Sequence, residues 1–244
     1  MGNTKMMKKL TAAIATASTL GFANMAHAET FETAIGAIDA SMTATLASDY
    51  IWRGQSQTNG AGAVQASLDF AHESGVYIGA WGSNVADEDF GGASIELDYY
   101  IGYAGSITDD ISYDLAWATY TFPQGIDAVD EVLASVDLYG FTVGAKYAYE
   151  PGSALYTYVG YGFELPYDIG LGLHYGRTDT KDAIGPTSSD AEYDDWALTL
   201  GKTMLGLDWA VMYSDTDLGD DCTQIYVDSD SCDSNFTLSV AKSF

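Results

Sequence analysis

Hydrophobic and polar side chains alternate along most of the chain after residue 40. Between Ile95 and Tyr103 every second residue is apolar or aromatic, and Glu96 and Asp98 lie among the residues in between. Successive side chains of a β-strand point to opposite faces of the sheet. Strict alternation over nine or ten residues therefore predicts strands with one apolar and one polar face, as in a transmembrane β-barrel.

The alternation recurs in twelve segments, and an even number is typical of bacterial barrels made from one chain. We therefore predict an all-β fold, an antiparallel transmembrane β-barrel of about 12 strands. The predicted strands cover residues 42–52, 63–72, 75–83, 93–104, 111–121, 130–138, 141–149, 153–164, 169–178, 193–203, 206–214 and 235–244.

The lengths of the connections give the barrel an orientation. The predicted periplasmic connections are all short and cover residues 73–74, 105–110, 139–140, 165–168 and 204–205. The predicted outer connections at 53–62, 84–92, 122–129, 179–192 and 215–234 are longer and carry much of the acidic charge; only residues 150–152 are short. Short turns inside and long loops outside are the asymmetry of outer-membrane barrels, so we expect the bacterial outer membrane.

The first 28 residues have the composition of a secretory signal peptide. Three lysines precede an apolar stretch at residues 10–23, and Ala26-His27-Ala28 is a small-x-small cleavage site. The alternative is a membrane-spanning helix, but the apolar part is shorter than the span of about 20 residues that a helix needs. We predict a signal peptide at 1–28 and the barrel at 29–244.

The charge excludes one class of function. Thirty-five acidic residues face nine lysines and arginines, giving a formal net charge of −26. Three of the nine lie in the predicted signal peptide, so the exported part is more acidic still. Phosphate contacts require a basic surface, and we therefore expect no nucleic-acid partner.

Cys222 and Cys232 lie in one acidic, serine-rich segment. An exported chain meets an oxidising compartment, which favours a disulfide that closes this loop. The alternative is two free thiols. A metal site is disfavoured because only two thiols and no nearby histidine are offered.

Charged side chains on the polar strand faces are candidates for lining a lumen. Arg53 is expected to pair with Asp69, Glu96 or Asp98, either to set ion selectivity or to stiffen the wall. The predicted pore-lining residues are Arg53, Asp69, Glu96, Asp98, Asp114, Lys146 and Asp208. Their negative sum predicts a preference for cations, unless charge near the exits dominates instead.

The last predicted strand ends on Phe244, with alternating apolar residues before it. This resembles the signal that outer-membrane barrels present to the barrel-assembly machinery, although Lys242 departs from the usual aromatic residue. The alternative is that Phe244 only anchors the strand at the membrane interface. Outer-membrane lipid and lipopolysaccharide are the other expected partners.

The acidic loop runs at 87–89, 215–221 and 228–233 offer oxygen ligands for Ca²⁺. None contains the full calcium-binding loop pattern, so we expect no cofactor and keep loop Ca²⁺ as an alternative to solvated loops. No GxSxG, HExxH or nucleotide-binding motif occurs, and we predict no enzyme. An outer-membrane lipid hydrolase using His174 and a serine is the weakest alternative.

Three runs of residues carry a family resemblance. They are Ser48-Asp49-Tyr50-Ile51-Trp52-Arg53-Gly54-Gln55-Ser56-Gln57, then Gly75-Val76-Tyr77-Ile78-Gly79-Ala80-Trp81-Gly82-Ser83-Asn84, then Glu96, Asp98, Tyr99, Tyr100, Gly102 and Tyr103. In this order they resemble the TorF family of proteobacterial porins, over nearly the whole chain after the signal peptide. The resemblance implies an outer-membrane barrel that acts as a porin and brings no catalytic residues.

The predicted function is passive diffusion of small hydrophilic solutes or ions. Twelve strands imply a lumen narrower than that of the 16-stranded porins. The alternative from another class is a closed barrel that acts in surface binding or envelope structure.

Overall fold

The structure is a computed structural model that describes residues 28–180, 191–219, 222, 226 and 229–244. Strands make up most of this part of the chain, with one 3-10 turn at Ser229–Cys232. The strands are β1 (Glu29–Thr33), β2 (Gly36–Ala47), β3 (Ile51–Trp52), β4 (Gln55–Ser56), β5 (Ala63–His72), β6 (Val76–Asn84), β7 (Ile95–Thr108), β8 (Ile111–Thr121), β9 (Val129–Leu138), β10 (Phe141–Glu150), β11 (Ala154–Leu165), β12 (Ile169–Thr180), β13 (Ala191–Met204), β14 (Leu207–Thr216) and β15 (Asn235–Ser243).

Twelve of these strands form a closed antiparallel barrel, as predicted. Each of β5 to β15 pairs with its neighbours in chain order, and β2 closes the barrel by pairing with both β5 and β15. At the seam, Phe244 and Met42 exchange two backbone hydrogen bonds of 2.9 and 3.3 Å. Closure leaves none of these twelve strands at an open edge of the wall, which a barrel in lipid requires.

The outer face of the barrel carries the apolar half of each alternation. Val64, Leu115 and Val143 are 65%, 54% and 54% exposed, whereas the residues beside them on the same strands turn inward. A belt of exposed aliphatic and aromatic side chains is stable only against lipid. No helix in the described part of the chain is long and apolar enough to cross a membrane.

Eleven of the twelve predicted strands agree with the structure to within four residues at each end, and β5 and β8 agree fully. The first is wrong: the segment 42–52 was expected, but β2 runs from Gly36 to Ala47. Ser48 makes the last contacts with β15, since its N–H donates to the carbonyl of Leu238 at 2.9 Å and its side-chain oxygen accepts from the N–H of Leu238 at 3.0 Å. The chain leaves the sheet after it.

Residues 51–56 form a separate small hairpin of β3 and β4. Its turn residues Arg53 and Gly54 have φ angles of 49° and 78°. Two consecutive positive φ angles are typical of the two-residue turns that close tight hairpins. Ile51 and Trp52 therefore belong to this hairpin and not to a wall strand.

The strand β1 was not predicted. It forms a short hairpin with the beginning of β2, where Phe31 lies opposite Ile38. The predicted signal peptide at 1–28 lies outside the described residues except for Ala28, and it stays a prediction.

Short connections occupy one end of the barrel, and the long ones lie at the other end, as predicted; the one short connection at that second end is 151–153, between β10 and β11. Two of the short ones are two-residue turns, Tyr139-Gly140 and Leu205-Gly206, with positive φ angles at all four residues. We call the half of the lumen near the short turns the inner half, and the half near the long loops the outer half.

Candidate functional site in the barrel lumen

Loop 1 (residues 48–62) folds into the outer half of the lumen. Its hairpin is almost fully buried, and Gln55 is only 1% exposed. Gly54 approaches the wall so closely that an added Cβ would lie 2.5 Å from a methyl group of Thr216 and 3.0 Å from Asp195. A glycine is therefore required here both for its φ angle and for the contact.

Arg53 at the tip of this hairpin makes an ion pair across the lumen with Glu131 of β9, with 2.5 Å between Nη2 and Oε1. The second carboxylate oxygen of Glu131 accepts a hydrogen bond of 2.9 Å from Tyr120. The guanidinium also stacks over Trp52 and Tyr156, at 4.0 and 4.4 Å from the ring centroids. Burial is the largest single influence and disfavours the charged form, but Glu131 together with the surrounding tyrosines outweighs it and raises the pKa of Arg53.

The expected partners of Arg53 were Asp69, Glu96 and Asp98, and this expectation is wrong. Those carboxylates lie on β5 and β7, whereas the inward fold of loop 1 carries the arginine to β9. The error follows from the misplaced first strand, because a residue at a wall-strand end reaches only the neighbouring strands.

Three further predicted pore-lining residues surround the hairpin in the outer half. Glu96, Asp98 and Lys146 all turn inward and are 5%, 3% and 6% exposed. Oδ1 of Asp98 has no hydrogen-bond partner. Lys146 lies opposite Tyr156 in the sheet register and interacts electrostatically with Arg53, Glu131, Asp98 and Asp195. The outer half thus holds both signs of charge.

His174 of β12 also faces the lumen, between the rings of Tyr156 and Tyr158. Its Nε2 lies 2.7 Å from Oη of Tyr156 and 3.2 Å from the carboxylate of Asp195. Its described hydrogen-bond partners are therefore a phenol and a carboxylate, not a serine.

The inner half is lined by the remaining predicted residues Asp69, Asp114 and Asp208 and by small side chains. Asp69 accepts a hydrogen bond from Tyr100, and both oxygens of Asp114 lie 2.8–2.9 Å from Oη of Tyr77. Asp208 accepts a hydrogen bond of 2.6 Å from Thr203. In the described part of the chain no lysine or arginine turns inward at this end, because Lys202 and Lys242 share the outward faces of their strands.

Tyrosine rings of the inner half lie over glycines of neighbouring strands. A Cβ on Gly79 would clash with Tyr100, and one on Gly102 would clash with Tyr77. Tyr158 of β11 covers Gly144 of β10 in the same way. The glycines therefore make room for the rings, and the rings narrow the lumen from the wall itself.

Sequence reasoning missed several inward carboxylates, among them Glu131, Asp137 and Asp195. The signal was present for the first two, since residues 131, 133, 135 and 137 alternate with the apolar Val132, Ala134, Val136 and Leu138. Asp195 has an outward acidic neighbour in Asp194, which hides the alternation.

The outer mouth is packed by the other loops. Phe90 and Phe122 of two different loops stack at 4.7 Å, and Tyr50 of loop 1 packs edge-on against Trp81 at 5.2 Å. The predicted disulfide between Cys222 and Cys232 is confirmed. It lies in the disulfide segment (residues 217–234, described at 217–219, 222, 226 and 229–234), which packs on Tyr193 of β13.

No group of three or more metal-ligating side chains occurs among the described residues. In the acidic run at 87–89, Glu88 accepts a hydrogen bond of 2.8 Å from Asn59 and Asp89 is buried. The runs at 215–221 and 228–233 lie partly outside the described residues, and loop Ca²⁺ there stays a prediction.

The comparisons with known proteins agree with this architecture. The profile of the family Gcw_chp, a bacterial protein of unknown function, matches residues 32–244. A comparison with curated protein sequences finds no match. The resemblance to TorF porins is not tested by the profile and stays a prediction.

Two solved structures with a similar fold are porins. The NanC porin has a TM-score of 0.56 and 8% identity, over 83% of this chain and 97% of that one. The KdgM porin has a TM-score of 0.51 and 10% identity, over 84% of this chain and 99% of that one. The fold is therefore that of outer-membrane porins, which confirms the predicted barrel and agrees with the predicted location in the bacterial outer membrane.

Proposed function

Because the chain belongs to the Gcw_chp family and folds like outer-membrane porins, we propose that it is a porin-like channel for small hydrophilic solutes or ions. The observation that carries this proposal is the combination of a polar, charged lumen with a loop folded into it. Arg53, paired with Glu131, would form the constriction. Passage past it breaks no bond and requires no cofactor.

The charge of the lumen supports a preference for cations. In the inner half, Asp69, Asp114, Asp137 and Asp208 face no inward lysine or arginine among the described residues. Tyrosine and threonine hydroxyls donate to several of these carboxylates, so neutral donors stabilise their charge without cancelling it. A negative lumen attracts cations and repels anions.

The test is conductance in planar lipid bilayers with a salt gradient across the membrane. The wild-type protein should show conductance steps and a reversal potential on the cation-selective side. The double variant Asp69→Asn/Asp114→Asn should shift that potential toward zero, since it removes two charges from the inner half. The control Glu192→Gln removes a carboxylate from the exposed outer face of β13 and should leave the potential unchanged.

The two failures have different meanings. A folded barrel without conductance steps would contradict the channel. Conductance with the same reversal potential in the double variant would contradict the assignment of selectivity to the inner half, and charge at the exits would then dominate.

A second candidate function is a closed barrel that acts in surface binding or envelope structure. The observation that favours it is the burial of loop 1, with Gln55, Gln57 and Arg53 all less than 10% exposed. This function would be favoured over a permanently open channel if the wild-type protein does not conduct but conducts after loop 1 is displaced.

Other expectations rest on single features. A lipid hydrolase receives no support from His174, because it faces the lumen while lipid lies against the opposite face of the strand. Recognition by the barrel-assembly machinery rests on Phe244, whose ring is 55% exposed near Lys242. Contact with lipid rests on the exposed apolar belt, and contact with lipopolysaccharide on the position of the long loops.

A further inference from the structure

One side chain of the disulfide segment reaches loop 1 from above. Oη of Tyr226 accepts a hydrogen bond of 2.7 Å from Nε2 of Gln57 and donates one of 3.0 Å to Oε1 of Gln55. The three side chains are 8%, 5% and 1% exposed. The bond from Tyr226 is the only described hydrogen bond of the Gln55 side chain, because Nε2 of Gln55 has no hydrogen-bond partner.

The disulfide fixes the place of this tyrosine. The backbone N–H of Tyr226 donates to the carbonyl of Cys222 at 2.9 Å, and Cys222 is bonded to Cys232. The carbonyl of Cys232 accepts a hydrogen bond of 3.0 Å from Thr216 at the end of β14. The disulfide segment is thereby tied to the barrel wall on one side and presents Tyr226 to loop 1 on the other.

Two further contacts bind loop 1 from the same side, one from the disulfide segment and one from the first residue of β15. Ser231 donates to Oδ1 of Asn59 at 2.8 Å, and Asn235 donates to Oδ2 of Asp49 at 2.6 Å. Asp49 is buried and its pKa is raised by that burial, although hydrogen bonds from Ser56 and Thr58 act against the shift. Both ends of loop 1 are thus bound from the side of the disulfide segment.

We propose that Tyr226 is a positioning residue that keeps loop 1 seated in the lumen and that the disulfide holds Tyr226 in place for this task. Removal of its hydroxyl takes away the partner of the buried Oε1 of Gln55 and leaves Nε2 of Gln57 with its bond of 3.1 Å to the carbonyl of Gln55. An unsatisfied buried group favours any conformation that returns it to water. Loop 1 should therefore leave the lumen more often. That this movement changes the passage of solutes rests on the proposed channel function, whereas the movement of loop 1 itself does not.

The experiment measures that movement directly, as the rate at which a thiol reagent reaches a cysteine placed in loop 1. Ile51 is 5% exposed and has no polar side-chain atom, so Ile51→Cys leaves the hydrogen bonds to Tyr226 intact. The described chain has no free cysteine to compete. The exposed Ala61, changed to cysteine in a separate protein, gives the rate for an accessible site.

In the Ile51→Cys protein, Tyr226→Phe should raise the rate of labelling by about tenfold, the factor that corresponds to about 1.4 kcal/mol. Tyr175→Phe is the matched control, because this hydroxyl donates to Asp194 on the outer face of the barrel. It should leave the rate unchanged. Labelling at Ala61→Cys should be fast in every background.

A second variant covers the case in which Tyr226→Phe does not fold. Cys222→Ser/Cys232→Ser removes the disulfide and should also raise labelling at Ile51→Cys. Folding is checked by the altered migration of an intact barrel on a gel run without heating. Equal labelling rates with and without the Tyr226 hydroxyl in folded barrels would overturn the proposal. A barrel without conductance would contradict the proposed channel, but the labelling rates with and without the Tyr226 hydroxyl could still be compared.

Discussion

The two halves of the lumen hold charge inside the barrel by different means. In the outer half, loop 1 carries the cation Arg53 to Glu131 on the wall. In the inner half, hydroxyl groups on the wall donate to Asp69 and Asp114, and no loop residue among those described binds either carboxylate. The outer arrangement therefore depends on where a loop lies, whereas the inner arrangement belongs to the sheet.

This difference assigns different tasks to the two halves. The ion pair of Arg53 and Glu131 removes most of its own field, so this pair can obstruct passage without itself selecting strongly by charge. Carboxylates held by neutral donors keep their charge, so the inner half can select. Loss of one member of a buried ion pair also costs far more than loss of one hydrogen bond, and the outer half should be the more sensitive to substitution.

The largest effect is expected for Glu131→Gln, which leaves Arg53 buried without an opposing charge. Loss of one partner of a buried pair costs about 3–5 kcal/mol, unless loop 1 moves out and returns the arginine to water. The free energy of unfolding, measured by urea titration of the barrel in lipid vesicles, should fall. Loop 1 should become accessible at the same time.

The control is Asp137→Asn on the inner half of the same strand. Oδ2 of Asp137 accepts a hydrogen bond of 3.1 Å from Ser112, and its Oδ1 accepts one of 2.5 Å from Thr142. The single amide oxygen of an asparagine can still accept one of the two bonds. The expected loss is about 1 kcal/mol. Equal losses for the two variants would show that the halves do not differ as described.

Most of the inner half of the lumen could be predicted from the sequence. The strands that carry Asp69, Asp114 and Asp208 alternate strictly, so counting every second residue places all three inside. The short turns were visible as well, because they follow runs of alternation without a gap. The local alternation of polar and apolar residues is sufficient to predict which way a side chain points when its own strand sets its position.

Loop 1 could not be found in that way. Tyr50, Ile51 and Trp52 are good strand formers, and the segment continues the alternation of β2. It folds inward through contacts with Glu131 and Tyr226, which lie 78 and 171 residues from their partners along the chain. No local pattern encodes such contacts.

An intermediate effect is expected for Gly144→Val in the inner half. Valine favours strands over glycine, but its side chain would occupy the place of the Tyr158 ring. Overpacking of this kind costs about 1–3 kcal/mol, and the thermal midpoint should fall. Gly162→Val is the control, because no atom lies within 4 Å of its added Cβ. A midpoint that rises in both variants would mean that the ring moves aside freely.

The smallest effect is expected for an ion pair outside the lumen. Arg177 lies on the outer face of β12 and pairs with Glu192 at 2.7 Å and Asp194 at 3.1 Å, with half of its side chain exposed. The contact with Glu192 is nearly as short as the 2.5 Å of the Arg53–Glu131 pair, but solvent screens the charges and keeps them hydrated when the pair is broken. Arg177→Gln should therefore leave the free energy of unfolding unchanged within error, and raised salt should not alter that result. A loss close to that of Glu131→Gln would mean that short distance, and not burial in the lumen, makes the Arg53 pair important.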